Sequence, residues 1–286
     1  MKARSFALSL LTRPGAATGL FLLLLQAVSI LFAPHIAPFS PVDADPLSAT
    51  LPPGSAHWFG TDELGMDVFS RVVFATRTNL LISFAAVGAS LAIGVPAGLL
   101  IGYYRGFLSN AVLRVFDFLQ SFPIFVLGMA LVAVLGQEIW SVVIALGLLF
   151  VPMFGRLVRA EVLSLRERPF VAAARCAGAN DLEIMLTHIL PNAVTPVIVQ
   201  VSVAIGMAIL LTAGLSFIGA GVRMPLPEWG LMVSNGAQQM ILGVWWISLF
   251  PGLAIVLSVL SFALLADAVR DLTDPRLQGG RHAAGA

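Results

Sequence analysis

The chain has 286 residues, of which 58% are hydrophobic and 11% charged. A soluble domain carries roughly 25% charged residues, so this composition excludes an ordinary soluble fold and places the chain in a bilayer. A net charge of +1 offers no basic field for nucleic acid, and a single cysteine, Cys176, excludes an internal disulfide. No His–Asp constellation accompanies Cys176, which reads as a small apolar residue rather than a nucleophile.

Residues 1–13 form a short basic tail with Lys2, Arg4 and Arg13. Residues 14–42 carry no Asp, Glu, Lys or Arg. The apolar stretch from Ala16 to Ala37 approaches the ~20 residues that cross a bilayer and exceeds the about 7–15 of a secretory signal core, so an uncleaved first span is predicted. Ser40 to Thr78 is polar, and Pro41, Pro46, Pro52 and Pro53 make it irregular as far as His57. A helix is expected to begin near Thr61, with Asp62 and Glu63 capping and charging its first turn. His57, Asp62, Glu63 and Asp67 invite a metal reading, but one histidine with scattered acids is a weak ligand set.

Thr78 to Tyr104 is charge-free and is predicted as the second span, with Gly88, Gly94, Gly98 and Gly102 spaced for close helix approach. The third span is expected over Val115–Gly136 and the fourth over Ile139–Phe154. Arg114 and Asp117, three apart, are expected to pair on one helix face. The fifth and sixth spans are predicted at Ala193–Gly221 and Ile247–Ala266. Between them lies an external segment with an interfacial helix at Met232–Ile241. Trp229, Trp245 and Trp246 suit the water–lipid boundary. The whole divides into a tail (1–13), the first transmembrane helix with its external loop (14–77), a transmembrane domain (78–270) and a second tail (271–286). The fold class is all-α, with about six transmembrane helices. With both termini inside, thirteen of the sixteen Lys and Arg lie on cytoplasmic segments.

The long polar interruption from Arg156 to Pro191 organises the rest. It holds five arginines and four acids. Pro169 suits a first helical position, and Phe170 to Ala177 reads as a short helix with Ala172, Ala173 and Ala174 giving a slim face. Gly178 ends it as a residue free to take positive φ. Asn180 with Glu183 is a capping-box-like start to a second helix, Asp181–His188, which Leu190-Pro191 is expected to close. Two short helices joined at a glycine make a knob suited to being gripped by another protein.

Catalytic chemistry is missing from the pattern. No Gly-rich loop precedes Lys-Ser/Thr, so the chain cannot cradle nucleotide phosphates, and no Ser-x-x-Lys or His-Glu-x-x-His pair occurs. Few ionisable residues fall inside spans, which disfavours an ion-coupled secondary carrier and requires an external energy source.

Four separated stretches carry a family resemblance over nearly the whole chain. VAAARCAGANDLEIMLTHILPN resembles the EAA---G loop of permease subunits of binding-protein-dependent ABC transporters. WFGTDELGMDVFSRVVFATRTNL, LSFIGAGVRMPLPEWGLMVSNG and WWISLFPGLAIVLSVLSFALLADAVRDLTDPR resemble the dipeptide/oligopeptide/nickel class, on the side of its C-type subunit. Two departures stand out: the loop glutamate falls on Ala172, and the usual arginine after DELG is Met66. The resemblance implies a type I ABC importer transmembrane domain over 78–270 with a cytoplasmic coupling-helix loop. Its ATPase contact would comprise Ala172, Ala173, Ala174, Gly178, Ala179, Asp181, Leu190 and Pro191. It also implies a non-enzymatic subunit of the bacterial inner membrane with both termini cytoplasmic and no cofactor of its own, ATP and Mg residing on partner subunits. The implied partners are a second homologous permease in a heterodimer, one or two ABC ATPase subunits, an extracytoplasmic substrate-binding protein and the lipid bilayer, without nucleic acid. Peptides are the implied cargo, with nickel, glutathione or another small solute as alternatives.

Overall fold

The computed structural model describes residues 14–273; the two expected tails lie almost wholly outside them. Among the described residues there are helices and no strand. In chain order these are α1 (Pro14–Ile36), α2 (Val68–Tyr103), α3 (Phe107–Gln120), α4 (Ile124–Leu135), α5 (Ile139–Leu165), α6 (Pro169–Cys176), α7 (Asp181–Phe217), α8 (Trp229–Gln239) and α9 (Trp246–Thr273). Five of them, α1, α2, α5, α7 and α9, are long and apolar enough to cross a membrane, and α3 with α4 forms a sixth only as a bent pair.

That pair corrects the straight third span expected over Val115–Gly136, because α3 and α4 meet at 94°. Pro123 is the cause. Its ring disfavours helical backbone at Phe122, so α3 stops at Gln120 and α4 restarts behind the proline in a new direction. The bend also reassigns Asp117. It pairs with Arg156 of α5 at 2.6 Å, not with Arg114 of its own helix.

The helix expected near Thr61 begins instead at Val68, where Asp67 caps it by accepting from the Ser70 amide at 2.8 Å. Residues 60–65 turn too tightly for helix, with Gly60 and Gly65 at φ +74° and +76°. Asp62 serves that turn, accepting from the Leu64 and Met66 amides at 3.0 and 2.9 Å.

The core is the seam between α2 and α5. Gly94, Gly98 and Gly102, four residues apart, lie on one stripe of α2. A Cβ on Gly98 would sit 2.4 Å from the Gly155 carbonyl oxygen, and one on Gly102 2.7 Å from Cβ of Val162. The two backbones therefore touch, as small-residue stripes allow inside lipid. At the outer flank α1 lies against α9, where Gly19 faces Leu264 and Gln26 Nε2 donates to Ser261 Oγ at 3.0 Å.

Two ends result. At the cap end, residues 37–67 and α8 cover the helices. The Trp229 indole donates to Val72 O and that of Trp246 to Thr61 O, each at 3.0 Å. Both rings are buried, which corrects their expected place at the lipid boundary; of the three tryptophans expected there, Trp245 alone is exposed. A buried indole requires a partner for its N–H, and these two find backbone carbonyls that pin the cap to the bundle. At the opposite, loop end gather the C-termini of α2 and α5, all of α6 and the start of α7.

Candidate functional site

The knob is built as its residues dictate. Pro169 occupies the first position of α6, where a missing N–H costs nothing. Gly178, at φ +90°, follows its cap. The Gly178 amide donates to Arg175 O and the Ala179 amide to Ala174 O, each at 3.1 Å. This is the paired bonding of a Schellman motif, which satisfies the last carbonyls of α6. Asn180 Oδ1 then accepts from the Glu183 amide at 2.9 Å and starts α7.

Leu190-Pro191 does not close a short helix there. Residues Ile184–Ile189 take a π-helical turn, and the helix continues unbroken from Asp181 to Phe217. Pro191 leaves a carbonyl one turn earlier without its amide partner, and the widened turn absorbs that loss instead of ending the helix. The Asn192 side-chain amide supplies a donor to His188 O at 2.7 Å.

The knob rests on apolar anchors. Val171, Ile184, Met185 and Ile189 are buried in the same cluster as Val158 and Val162 of α5. Opposite them Ala172, Ala173, Gly178 and Asp181 are exposed, and Ala174 and Ala179 are half-buried. These six nominated residues thus share one compact prominence, flanked by the exposed side chains of Phe170, Leu182 and Leu186. Leu190, half-buried, and Pro191, exposed, lie farther along α7 beyond the π turn.

A polar tie absent from the sequence reading holds the prominence in place. The Tyr103 hydroxyl, at the end of α2, donates to Asp181 Oδ1 at 2.5 Å and accepts from Arg175 Nη2 at 3.0 Å. The Tyr104 hydroxyl reaches Asp181 Oδ2 at 3.4 Å. Arg166 Nη1 donates to the carbonyls of Gly102 and Tyr103, each at 3.1 Å, placing a cation on the C-terminal end of α2. Tyr103 was visible only as the close of a charge-free run; its partners lie more than seventy residues away.

At the cap end the four residues that invited a metal reading are engaged with one another, with the turn around them or, for Glu63, with α8, where the Gln239 side-chain amide donates to it at 3.1 Å. His57 Nδ1 lies 2.9 Å from Asp67, and its ring stacks on Phe39 with centroids 4.6 Å apart. Asp62 faces the buried Arg71 guanidinium at 3.6 Å. Burial pushes the Asp62 carboxyl above the usual range, outweighing its amide bonds and Arg71. Among the described residues no group of three His, Cys, Asp or Glu could hold a metal ion. Glu228 is fully buried and caps α8 through the Gly230 and Leu231 amides at 2.9 and 2.7 Å, and burial raises its carboxyl pKa as well. The cap end is thus a bonded polar layer over the helices, and the loop end carries an exposed prominence of small and apolar residues.

Residues 94–279 match the family described as binding-protein-dependent transport system inner membrane component. The chain is 40% identical over 263 residues to the dipeptide transport system permease protein DppC of Alkalihalophilus pseudofirmus, covering 92% of this chain and 86% of that one. It is 41% identical over 265 residues to the glutathione transport system permease protein GsiD of Pectobacterium atrosepticum, covering 92% and 87%. It is 39% identical over 266 residues to the probable D,D-dipeptide transport system permease protein DdpC of Escherichia coli K12, covering 93% and 89%. Among solved structures, an inward-facing form of the MetNI methionine ABC transporter aligns with a TM-score of 0.56 at 20% identity, covering 72% of this chain and 98% of that one. At that identity the likeness speaks for the fold, a type I importer transmembrane domain.

Proposed function

This chain belongs to the family of binding-protein-dependent transport system inner membrane components, and from that premise we propose how it works: as a permease for di- and oligopeptides, moved by separate ATPase subunits that grip the knob. It is the membrane-spanning permease subunit of an ABC importer and not the ATPase. Peptide cargo is supported by relatives named for dipeptides and for glutathione, itself a small peptide, at about equal identity.

In this reading the loop end faces the cytosol, where ATP and Mg sit on one or two ATPase subunits. Ala172, Ala173, Ala174, Gly178, Ala179 and Asp181 fill a groove on one ATPase site, with Leu190 and Pro191 behind them, and the second permease's knob fills the other. A second, homologous permease completes the pathway, and a substrate-binding protein docks on the cap end. Closure of the ATPase pair draws the knobs together and turns the cavity outward. Swinging such an equilibrium from 1:99 to 99:1 takes roughly 5.5 kcal/mol. The carrying observation is that the prominence is small, exposed and capped on both sides of its Gly178 turn. A loop so fixed can pass on a load that a mobile one would dissipate.

Cys176 offers the test, being the only thiol of the chain and exposed on α6. In the assembled transporter a short maleimide–diazirine crosslinker, attached through its maleimide to Cys176 and photoactivated, is expected to join Cys176 to an ATPase subunit. An impermeant maleimide applied to intact cells is expected to leave it unlabelled. Labelling from outside, or an assembled complex in which Cys176 reaches no ATPase, would refute the proposal.

A further inference from the structure

The two limbs of the knob meet one side chain that belongs to neither. We propose that Tyr103 is a positioning residue for transport, its hydroxyl riveting both limbs of the knob to the end of α2 so that displacement of the knob is delivered to that span. This rests on the reading of the knob as the ATPase contact.

A phenol hydroxyl has one proton to donate and lone pairs to accept. Here both capacities are used, toward Asp181 on α7 at 2.5 Å and from Arg175 on α6 at 3.0 Å. The hydroxyl thus bridges the two sides of the Gly178 turn, each bond reinforced by a charged partner. The residue that carries it is itself buried. Arg166 holds the same helix end from the α5 side through two carbonyls. A load on the hydroxyl therefore acts on a helix terminus already fastened to its neighbour. Apolar packing under the knob, through Val171 and Ile184, seats it on the bundle but can slide; directed bonds to one oxygen cannot shift without breaking.

The test uses the complete transporter in proteoliposomes: this chain, its partner permease, the ATPases and the binding protein. Tyr103→Phe removes one oxygen and keeps the ring. Three quantities are read: uptake of a dipeptide library by mass spectrometry per ATP hydrolysed, hydrogen exchange over residues 98–105 during vanadate trapping, and Cys176 crosslinking to the ATPase. Expected are intact ATP hydrolysis and crosslinking, uptake per ATP lower by about tenfold for lost charge-assisted bonds, and exchange at the α2 end that no longer follows trapping. Tyr104→Phe, which loses only an exposed 3.4 Å contact, is expected to match the unaltered chain. Asp181→Asn keeps an acceptor but removes its charge. It is expected to give a smaller loss that does not add to that of Tyr103→Phe, and it carries the test should the phenylalanine variant fail to assemble. Unchanged uptake per ATP and unchanged α2 exchange, with the crosslink present, would overturn the rivet and leave the knob reading standing. A missing crosslink in the unaltered chain would instead remove the knob reading itself.

Discussion

Replacing Gly98 with alanine tests whether α2 and α5 are packed at backbone contact. The added methyl would lie 2.4 Å from the Gly155 carbonyl oxygen and 2.9 Å from Cβ of Val158, where ordinary contact begins at 3.4 Å. The helices must part by about 1 Å, since one obstacle is backbone and the other a β-carbon held in a helix. A gap of 0.5–1 Å forfeits about a quarter to a half of each dispersion contact along the seam, and overpacked cores lose about 1–3 kcal/mol. Alanine's better helix propensity, about 1 kcal/mol, gives little back, because a span already pairs its backbone helically within the bilayer. The expected loss is about 2 kcal/mol. Gly88→Ala is the matched control on the same helix: its methyl meets nothing within 4 Å, and the expected change is within about 0.5 kcal/mol. Gly155→Ala should fall between them, because its methyl meets the ring of Phe116, which can swing. Unfolding in mixed micelles titrated with dodecyl sulfate, followed by tryptophan emission, ranks the three. Equal stability of the Gly98 and Gly88 variants would refute the contact argument.

Other substitutions separate backbone from side-chain effects. At Gly178 a side chain would meet nothing within 4 Å, yet φ is +90°. Gly178→Val should therefore strain the turn by about 1–2 kcal/mol and depress ATP-driven uptake, whereas Gly178→Asn, more tolerant of positive φ, should retain most of it. Asp67→Ala removes the cap of α2 and the partner of His57. A loss of about 1–2 kcal/mol is expected, read as faster hydrogen exchange over residues 57–71. Glu228 gives a pH signature. Its folded pKa is raised above the ordinary 4.5 by burial, so the folded state favours the neutral acid. Its contribution to stability is most favourable below about 4.5 and declines as pH climbs through the raised value. Glu228→Gln should flatten that part of the dependence, and thermal melts from pH 4.5 to 8 that decline as steeply as those of the unaltered chain would contradict it.

The knob was legible because its punctuation is local. Pro169, Gly178 and Asn180 each act within four residues, and each stands where its chemistry demanded. The glycine stripe on α2 was equally readable, since helical spacing alone puts Gly94, Gly98 and Gly102 on one face. Direction was not. Hydropathy marks the run from Ile124 to Leu135 as apolar but carries no information on the 94° bend behind Pro123. Pro191 reads as a stop because a helix wide enough to absorb it is uncommon. Trp229 and Trp246 went inside because carbonyls far along the chain were free to receive their N–H groups. The same distance hid Tyr103, whose meaning depends on Asp181 and Arg175.

The uninterrupted helix from Asp181 to Phe217 has a mechanical corollary. Thirty-seven residues at 1.5 Å each make a shaft of about 55 Å, and its first turn is the very piece that Asn180 caps. The widened turn at Ile184–Ile189 bends but does not break it, so a nudge at that tip is passed to the far end as a tiller steers a rudder. A tilt of about 5° about the near end carries the other some 5 Å sideways over that length, enough to redraw a passage between bundles.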